Sequence, residues 1–213
     1  MTSNMHVISR VILVHGFNVS DDGANTTGKL ANLFYKRPGV RVIEFTPGWR
    51  GLLGVRFGNK RRAQNLANLI QPGDLLIGHS DGCNLIDKAC HELSSLGAES
   101  VNCVYFNAAL DRDTALSKIV SKCLVFHTKS DTTVWISKWL ALHPWGEMGR
   151  KGYKAAHPHL HDDRYINVSY ESMGHHDLEH SGVFKRVAAL SDAFTRIRIE
   201  FDHIPKAMVV GDV

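Results

Sequence analysis

Residues 74–93, DLLIGHSDGCNLIDKACHEL, decide the fold, because they place a short apolar strand, a glycine-rich turn and an amphipathic helix in direct succession. Residues 74–78 predict the strand. Residues 83–96 predict a helix with one apolar face, which Gly97 ends. A strand that feeds directly into a helix is the beginning of a βαβ unit.

The same alternation of strand and helix continues along the whole chain. Further strands are predicted at residues 7–14, 40–45, 101–106, 123–127 and 165–170, and further helices at residues 26–36, 59–70 and 183–197. This order predicts one α/β domain over residues 1–213, with a doubly wound, mostly parallel sheet flanked by helices. Active sites of such sheets lie outside the carboxyl ends of the strands, so the loops that follow strands are the ones to search.

Composition indicates an ordinary globular protein and argues against several classes of partner. The 213 residues are 44% hydrophobic and 22% charged, and the net charge is +4. Only the run at residues 56–62 concentrates basic side chains, and it is interpreted as a solvated helix start, so no nucleic-acid partner is predicted. The four cysteines include no C-x-x-C pair and are expected to be free thiols. Without an apolar targeting segment or a stretch long enough to span a bilayer, the chain is expected to be cytoplasmic.

The turn Gly78-His79-Ser80-Asp81-Gly82 matches G-x-S-x-G between a strand and a helix. A serine held on such a sharp turn has a strained backbone, and small residues on both sides relieve the crowding. The turn also places the serine at a helix N-terminus, where the dipole favours a developing negative charge. Ser80 is therefore the predicted nucleophile.

From the His-Gly after the first long strand to the last helix, the chain resembles the α/β-hydrolase superfamily, and within it the small esterase and lipase-like serine hydrolases. The resemblance implies an oxyanion hole made of two backbone N–H groups. One is that of Asp81, after the nucleophile. The other is that of Phe17 in Val14-His15-Gly16-Phe17-Asn18, with Asn18 the neighbour to consider.

The resemblance also implies the chain order serine, acid, histidine. Asp131 follows an apolar strand and a short polar loop, and it is the preferred acid. Asp111 and Asp113 follow the preceding strand and compete with it, although Asp113 would also serve as a helix N-cap. The acid would orient the histidine and stabilise its imidazolium.

Three histidines stand between the last predicted strand and the last predicted helix: His175, His176 and His180. His180 is the preferred base because the Ser-Gly-Val-Phe that follows it leads into the final helix. A histidine fixed at a helix start loses less entropy when it is held in place. It would act as general base toward Ser80 and then as general acid toward the leaving group.

The predicted activity is hydrolysis of a small-molecule ester, thioester or related acyl bond through an acyl-Ser80 intermediate, with no cofactor. The alternatives are acyl transfer by the same triad and a catalytically silent binding module. The histidines in Ala156-His157-Pro158-His159-Leu160-His161 alternate, but their polar surroundings favour a solvated loop over a metal site. Residues 135–164 are interpreted as an insertion or cap segment.

Overall fold

The computed structural model describes residues 10–17, 24, 26–35, 38–48, 51–97, 100–131 and 146–169, with residues 33 and 51–57 described by their backbone alone. Within these residues lie the strands β1 (Arg10–Val14), β2 (Arg41–Phe45), β3 (Leu75–His79), β4 (Val101–Phe106), β5 (Val120–His127) and β6 (Tyr165–Ser169). The helices there are α1 (Thr27–Tyr35), α2 (Gly51–Ala67), α3 (Asp81–Ser95) and α4 (Met148–Lys151), with a 3₁₀ turn at Pro158–Leu160.

The described strands form one sheet in the order β2-β1-β3-β4-β5-β6, and every neighbouring pair is parallel. From β1 the chain moves outward to β2, then returns to the other side of β1 and adds β3 to β6 in succession. The strand order therefore reverses between β1 and β3. At such a reversal the loops leave the sheet in opposite directions and open a crevice at the carboxyl ends of the strands.

The sheet buries both of its faces, as the near-continuous apolar strands require. Ile12 and Val14 of β1 pack on the side that carries α2 and α3. Val11 and Leu13 pack on the opposite side, which carries α1. Helices therefore cover both faces, and the predicted doubly wound parallel sheet is confirmed.

The largest differences from the predicted boundaries within the described residues include the starts of α2 and β5. Helix α2 begins at Gly51, eight residues before the predicted start at Asn59. Glycine is a poor helix former and stands at positions 51, 54 and 58, so the sequence pattern did not predict the first two turns. Strand β5 begins at Val120 instead of residue 123. The prediction was late because two polar residues follow Val120 and interrupt the apolar run.

The predicted helix at residues 183–197 and the three candidate histidines lie outside the described residues. The segment interpreted as an insertion or cap, residues 135–164, is described from residue 146 onward. There Met148 is fully buried, and the ring of Tyr153 stacks on that of Tyr165 in β6 with centroids 4.0 Å apart. This part of the segment packs against the body of the sheet.

All four cysteines are buried free thiols, as expected. Burial raises the pKa of the Cys83 and Cys123 thiols well above the ordinary value. Because the thiolate is the reactive form, these side chains act as small apolar core residues and not as nucleophiles.

Candidate active site

Ser80 stands between the last residue of β3 and the first residue of α3, with φ 54° and ψ −125°. A positive φ is unfavourable for any residue with a Cβ atom and persists only where the surroundings enforce it. Here the Ser80 N–H donates to the carbonyl oxygen of Phe106 in β4 at 2.9 Å. The Ser80 carbonyl oxygen in turn accepts from the N–H of Cys83 at 3.1 Å. The neighbouring strand and the helix start together hold the turn.

Three glycines permit this turn by leaving out a side chain. A Cβ atom on Gly78 would lie 2.9 Å from the Cα and N atoms of Cys83. One on Gly82 would overlap the carbonyl oxygen of Val14, at the end of β1. One on Gly16 would lie 2.7 Å from the Cβ atom of Ser80 itself. The spacing of the motif is therefore a steric requirement of this structure, and the loop after β1 lies directly against Ser80.

The two predicted oxyanion donors belong to this same crevice. Phe17 follows Gly16 in the loop after β1, and Asp81 is the first residue of α3. Strands β1 and β3 are hydrogen-bonded neighbours, with Val14 paired to Gly78. The structure therefore brings Phe17, Ser80 and Asp81 to adjacent positions at the point where the strand order reverses.

The Asp81 side chain is fully buried and joins α3 to α2. Its Oδ1 atom accepts from the Nδ2 of Asn84 at 2.9 Å, and its Oδ2 atom accepts from the Nδ2 of Asn59 at 3.5 Å. These donors and the helix N-terminus stabilise a carboxylate that would be costly to bury alone. Sequence reasoning gave Asn59 no role, because nothing in the pattern of α2 shows which residue of α3 it meets.

Two buried histidines flank the turn and were also not assigned a role. His79 is fully buried beside Ser80, and its Nδ1 atom would lie 3.3 Å from a Cβ atom on Gly16. His15 is 3% exposed, and its Nδ1 atom lies 2.9 Å from the carbonyl oxygen of Gly16, to which it donates. The immediate surroundings of Ser80 are therefore largely shielded from solvent.

The candidate acids differ sharply in burial. Asp131 is fully buried, four residues beyond the end of β5, and its backbone N–H donates to the carbonyl oxygen of Thr128 at 3.1 Å. Asp111 and Asp113 are exposed, and residues 114–117 have no regular secondary structure, so the helix that Asp113 would cap is not formed there. The carbonyl oxygen of Asp111 accepts from the Oγ1 of Thr114 at 2.8 Å across a turn at residues 112–113.

The separation of Ser80 and Asp131 follows from the strand order. Ser80 follows β3 and Asp131 follows β5, with β4 between them. Since neighbouring strands are about 4.8 Å apart, the two backbones leave the sheet about 10 Å apart. That gap is wide enough for one imidazole with a hydrogen bond on each side. His175, His176 and His180, the candidates for it, are not among the described residues.

The described residues include no group of three or more His, Cys, Asp or Glu side chains placed to hold a metal ion. His157, His159 and His161 lie in and beside the 3₁₀ turn, and all three are exposed. The rings of His157 and His159 stack on each other with centroids 5.5 Å apart.

Comparison with known proteins adds a structural likeness only. No model of a protein family matches the chain, and no curated protein matches it. Among solved structures, the chain is similar to the ydeN gene product from B. subtilis, with 15% sequence identity and a TM-score of 0.47 over 87% of this chain and 98% of that one. No helix in the described ranges has the length and apolar character needed to cross a membrane.

Proposed function

We propose that the protein is a serine hydrolase of the α/β-hydrolase type, which cleaves an ester, thioester or related acyl bond through an acyl-Ser80 intermediate. The observation that carries the proposal is the backbone of Ser80, a residue other than glycine at φ 54° between a strand and a helix. Such strain costs about 1–3 kcal/mol and is concentrated at functional sites. The strand–turn–helix context with G-x-S-x-G is that of a nucleophile elbow.

The burial of Asp131 supports its role as the acid. A carboxylate that orients an imidazole and stabilises its charged form does so most strongly where water is excluded. Asp131 meets that condition, whereas Asp111 and Asp113 are exposed. By chain order and its place before the last predicted helix, His180 is the base in the proposed triad, with His175 and His176 as alternatives.

In the proposed reaction, the base removes the proton from the Ser80 hydroxyl as its Oγ attacks the acyl carbon. The carbonyl oxygen becomes an oxyanion, which the backbone N–H groups of Phe17 and Asp81 stabilise. Collapse of this intermediate breaks the acyl bond, and the imidazolium returns its proton to the departing alcohol or thiol. The base next deprotonates a water molecule, which attacks the acyl-Ser80 ester. The bond to Ser80 Oγ then breaks, the imidazolium returns its proton to that oxygen, and the carboxylic acid leaves.

The test is labelling of the full-length protein with a fluorophosphonate probe, followed by hydrolysis of a panel of p-nitrophenyl esters. The wild type should be labelled on Ser80 and should release p-nitrophenol. Ser80→Ala should keep the fold and lose about 10⁴- to 10⁶-fold in rate. Activity should survive EDTA, because no step needs a metal ion.

Two outcomes of the same experiment point to the alternatives. A protein that is labelled and turns esters over faster when an alcohol or amine acceptor is added is an acyltransferase with the same triad. A folded protein that is neither labelled nor active is a silent binding module. Turnover by Ser80→Ala at the wild-type rate would show that the nucleophile is wrong.

A further inference from the structure

A single glycine outside the G-x-S-x-G motif connects the backbones that lead to Ser80 and to Asp131. The N–H of Gly149, in α4, donates to the carbonyl oxygen of Ala108 at 2.8 Å. The carbonyl oxygen of Gly149 accepts from the N–H of Thr128 at 3.1 Å. The backbone of α4 at Gly149 is thus hydrogen-bonded to the loop after β4 through its N–H group and to the loop after β5 through its carbonyl group.

Each of these contacts lies one short step from a proposed reacting group. The N–H of Ala109, the neighbour of Ala108, donates to the carbonyl oxygen of Ser80 at 3.2 Å. The carbonyl oxygen of Thr128 accepts from the N–H of Asp131 at 3.1 Å. A shift of Gly149 would therefore be transmitted to the nucleophile turn and to the acid loop at the same time.

The contact at Gly149 is too close for any side chain. A Cβ atom there would lie 2.6 Å from the N atom of Ala108 and 2.7 Å from the Cα atom of Asn107, and closer still to the carbonyl carbon of Asn107. These are backbone atoms of Asn107 and Ala108, which are both fully buried, and Asn107 is held at φ 48°. Backbone atoms have no side-chain rotation with which to yield. Any larger residue must push the loop after β4 away.

We propose that Gly149 is a positioning residue, which fixes the separation of Ser80 and Asp131 by letting α4 pack directly on the loop after β4. The inference rests on the proposed function, since it assigns Gly149 a part in that triad. The residue touches neither substrate nor reacting atoms, and it acts only through the two hydrogen-bonded loops.

The main test is Gly149→Ala in the full-length chain, measured by p-nitrophenyl ester kinetics and by the rate of fluorophosphonate labelling. A displacement of about 1 Å between reacting groups lowers a rate by about 10²-fold. We therefore expect kcat and the labelling rate to fall by about that factor, with KM little changed, because the substrate pocket is not altered. The matched control is Gly97→Ala, which adds the same methyl group just after the C-terminal end of α3, far along that helix from Ser80. A Cβ atom there meets nothing within 4 Å.

A second variant keeps the test decisive if Gly149→Ala does not fold. Met148→Ala removes the fully buried side chain that anchors α4 in the core and loosens the same segment without a clash. Its control is Leu116→Ala, which removes an equally apolar side chain of the same core cluster just before β5. We expect kcat to fall about 10-fold for Met148→Ala, because a loosened α4 displaces the two loops less than the clash at Gly149 does.

The proposal is supported if the α4 variants lose kcat and labelling rate while the two controls lose only melting temperature. It is overturned if folded Gly149→Ala, or Met148→Ala in its place, keeps wild-type kcat, or if the controls lose as much. In either case a labelled, active wild type leaves the proposed function intact. A wild type that is neither labelled nor active removes the proposed function, and this inference with it.

Discussion

Glycine serves different purposes at the two ends of the parallel strands. The side of the sheet where strands begin is called here the amino edge, and the side where they end, which carries Ser80, is called the carboxyl edge. Before β3 and β4, Gly73 and Gly97 have φ of +81° and +73°, and a Cβ atom on either would meet nothing within 4 Å. After β1 and around β3, the glycines at positions 16, 78 and 82 have no positive φ, yet a Cβ atom on each would collide with a neighbouring residue. Gly73 and Gly97 are therefore needed for their conformation, whereas the three glycines around Ser80 are needed for space.

This difference separates structural from functional demands. A turn that needs only a positive φ can occur at any exposed connection, and its strain stays local. A close approach of three backbone segments to one serine occurs only where the fold brings several strand ends together. The carboxyl edge is therefore where substitution should affect activity, and the amino edge is where it should affect stability alone.

Among substitutions at the carboxyl edge, the largest loss of activity should come from removing the base, because the proposed triad is incomplete without it. His180→Ala should reduce ester hydrolysis about as much as Ser80→Ala, on the order of 10⁴- to 10⁶-fold. His175→Ala and His176→Ala should be much milder, since one imidazole alone can reach both Ser80 and Asp131 at hydrogen-bond distance. Steady-state kinetics of the three variants measures this. A severe loss in His175→Ala or His176→Ala with an active His180→Ala would reassign the base but leave the hydrolase proposal standing.

The glycine comparison itself is tested by Gly82→Ala against Gly73→Ala. The methyl group on Gly82 meets the backbone oxygens of Val14 and His15, so it must push α3 away from β1. We expect at least a 10²-fold loss of kcat, with about 1–3 kcal/mol of stability lost to overpacking. Gly73→Ala should lose about 1–2 kcal/mol through its positive φ and keep its kcat. Equal kcat losses in both, measured beside chemical denaturation, would end the distinction between the edges.

The part of the site that could be predicted from the sequence is the part written in consecutive residues. Strand, turn and helix around Ser80 follow from apolar patterning and two glycines within five positions. The turn at Ser80 depends on local steric rules that residue types express directly. Asp131 was predicted in another way, from the chain order that the family resemblance implies, and it stays a prediction.

The rest depends on contacts between segments that are distant in the chain. Asn59 meets Asp81 only because α2 packs on α3, and Gly149 meets Asn107 only because α4 packs on the loop after β4. No periodicity shows such a meeting, since it is set by the relative placement of whole elements. The start of α2 was predicted too late for a local reason, because glycine, its first residue, has a low helix propensity.

A smaller effect is expected from Asn59, which connects the carboxyl edge to the body of the molecule. Asn59→Ala removes one donor from the buried Asp81 carboxylate and leaves that of Asn84 in place. We expect about 1 kcal/mol less stability and a loss of kcat of only a few-fold, because the bond is long and one partner remains. The control is Asn68→Ala, an exposed residue just beyond the end of the same helix. Identical melting curves and kinetics for both variants would exclude Asn59 from the site.

Replacing His127, at the end of β5, is expected to change stability least at neutral pH. In acid the change should be larger. Burial lowers its pKa from 6.5 to about 4, so the folded protein keeps the ring neutral where the unfolded chain takes up a proton. The unfolded state then binds more protons, and stability falls as the pH falls. The contribution of His127 to stability is fully present above about pH 6.5 and is lost as the pH falls through about 4.

Denaturation of His127→Gln should therefore depend less on pH between 6.5 and 4 than that of the wild type. His157→Gln, which replaces an exposed ring, should leave that dependence unchanged. If His127→Gln kept the wild-type slope, the buried His127 ring would not contribute to acid sensitivity.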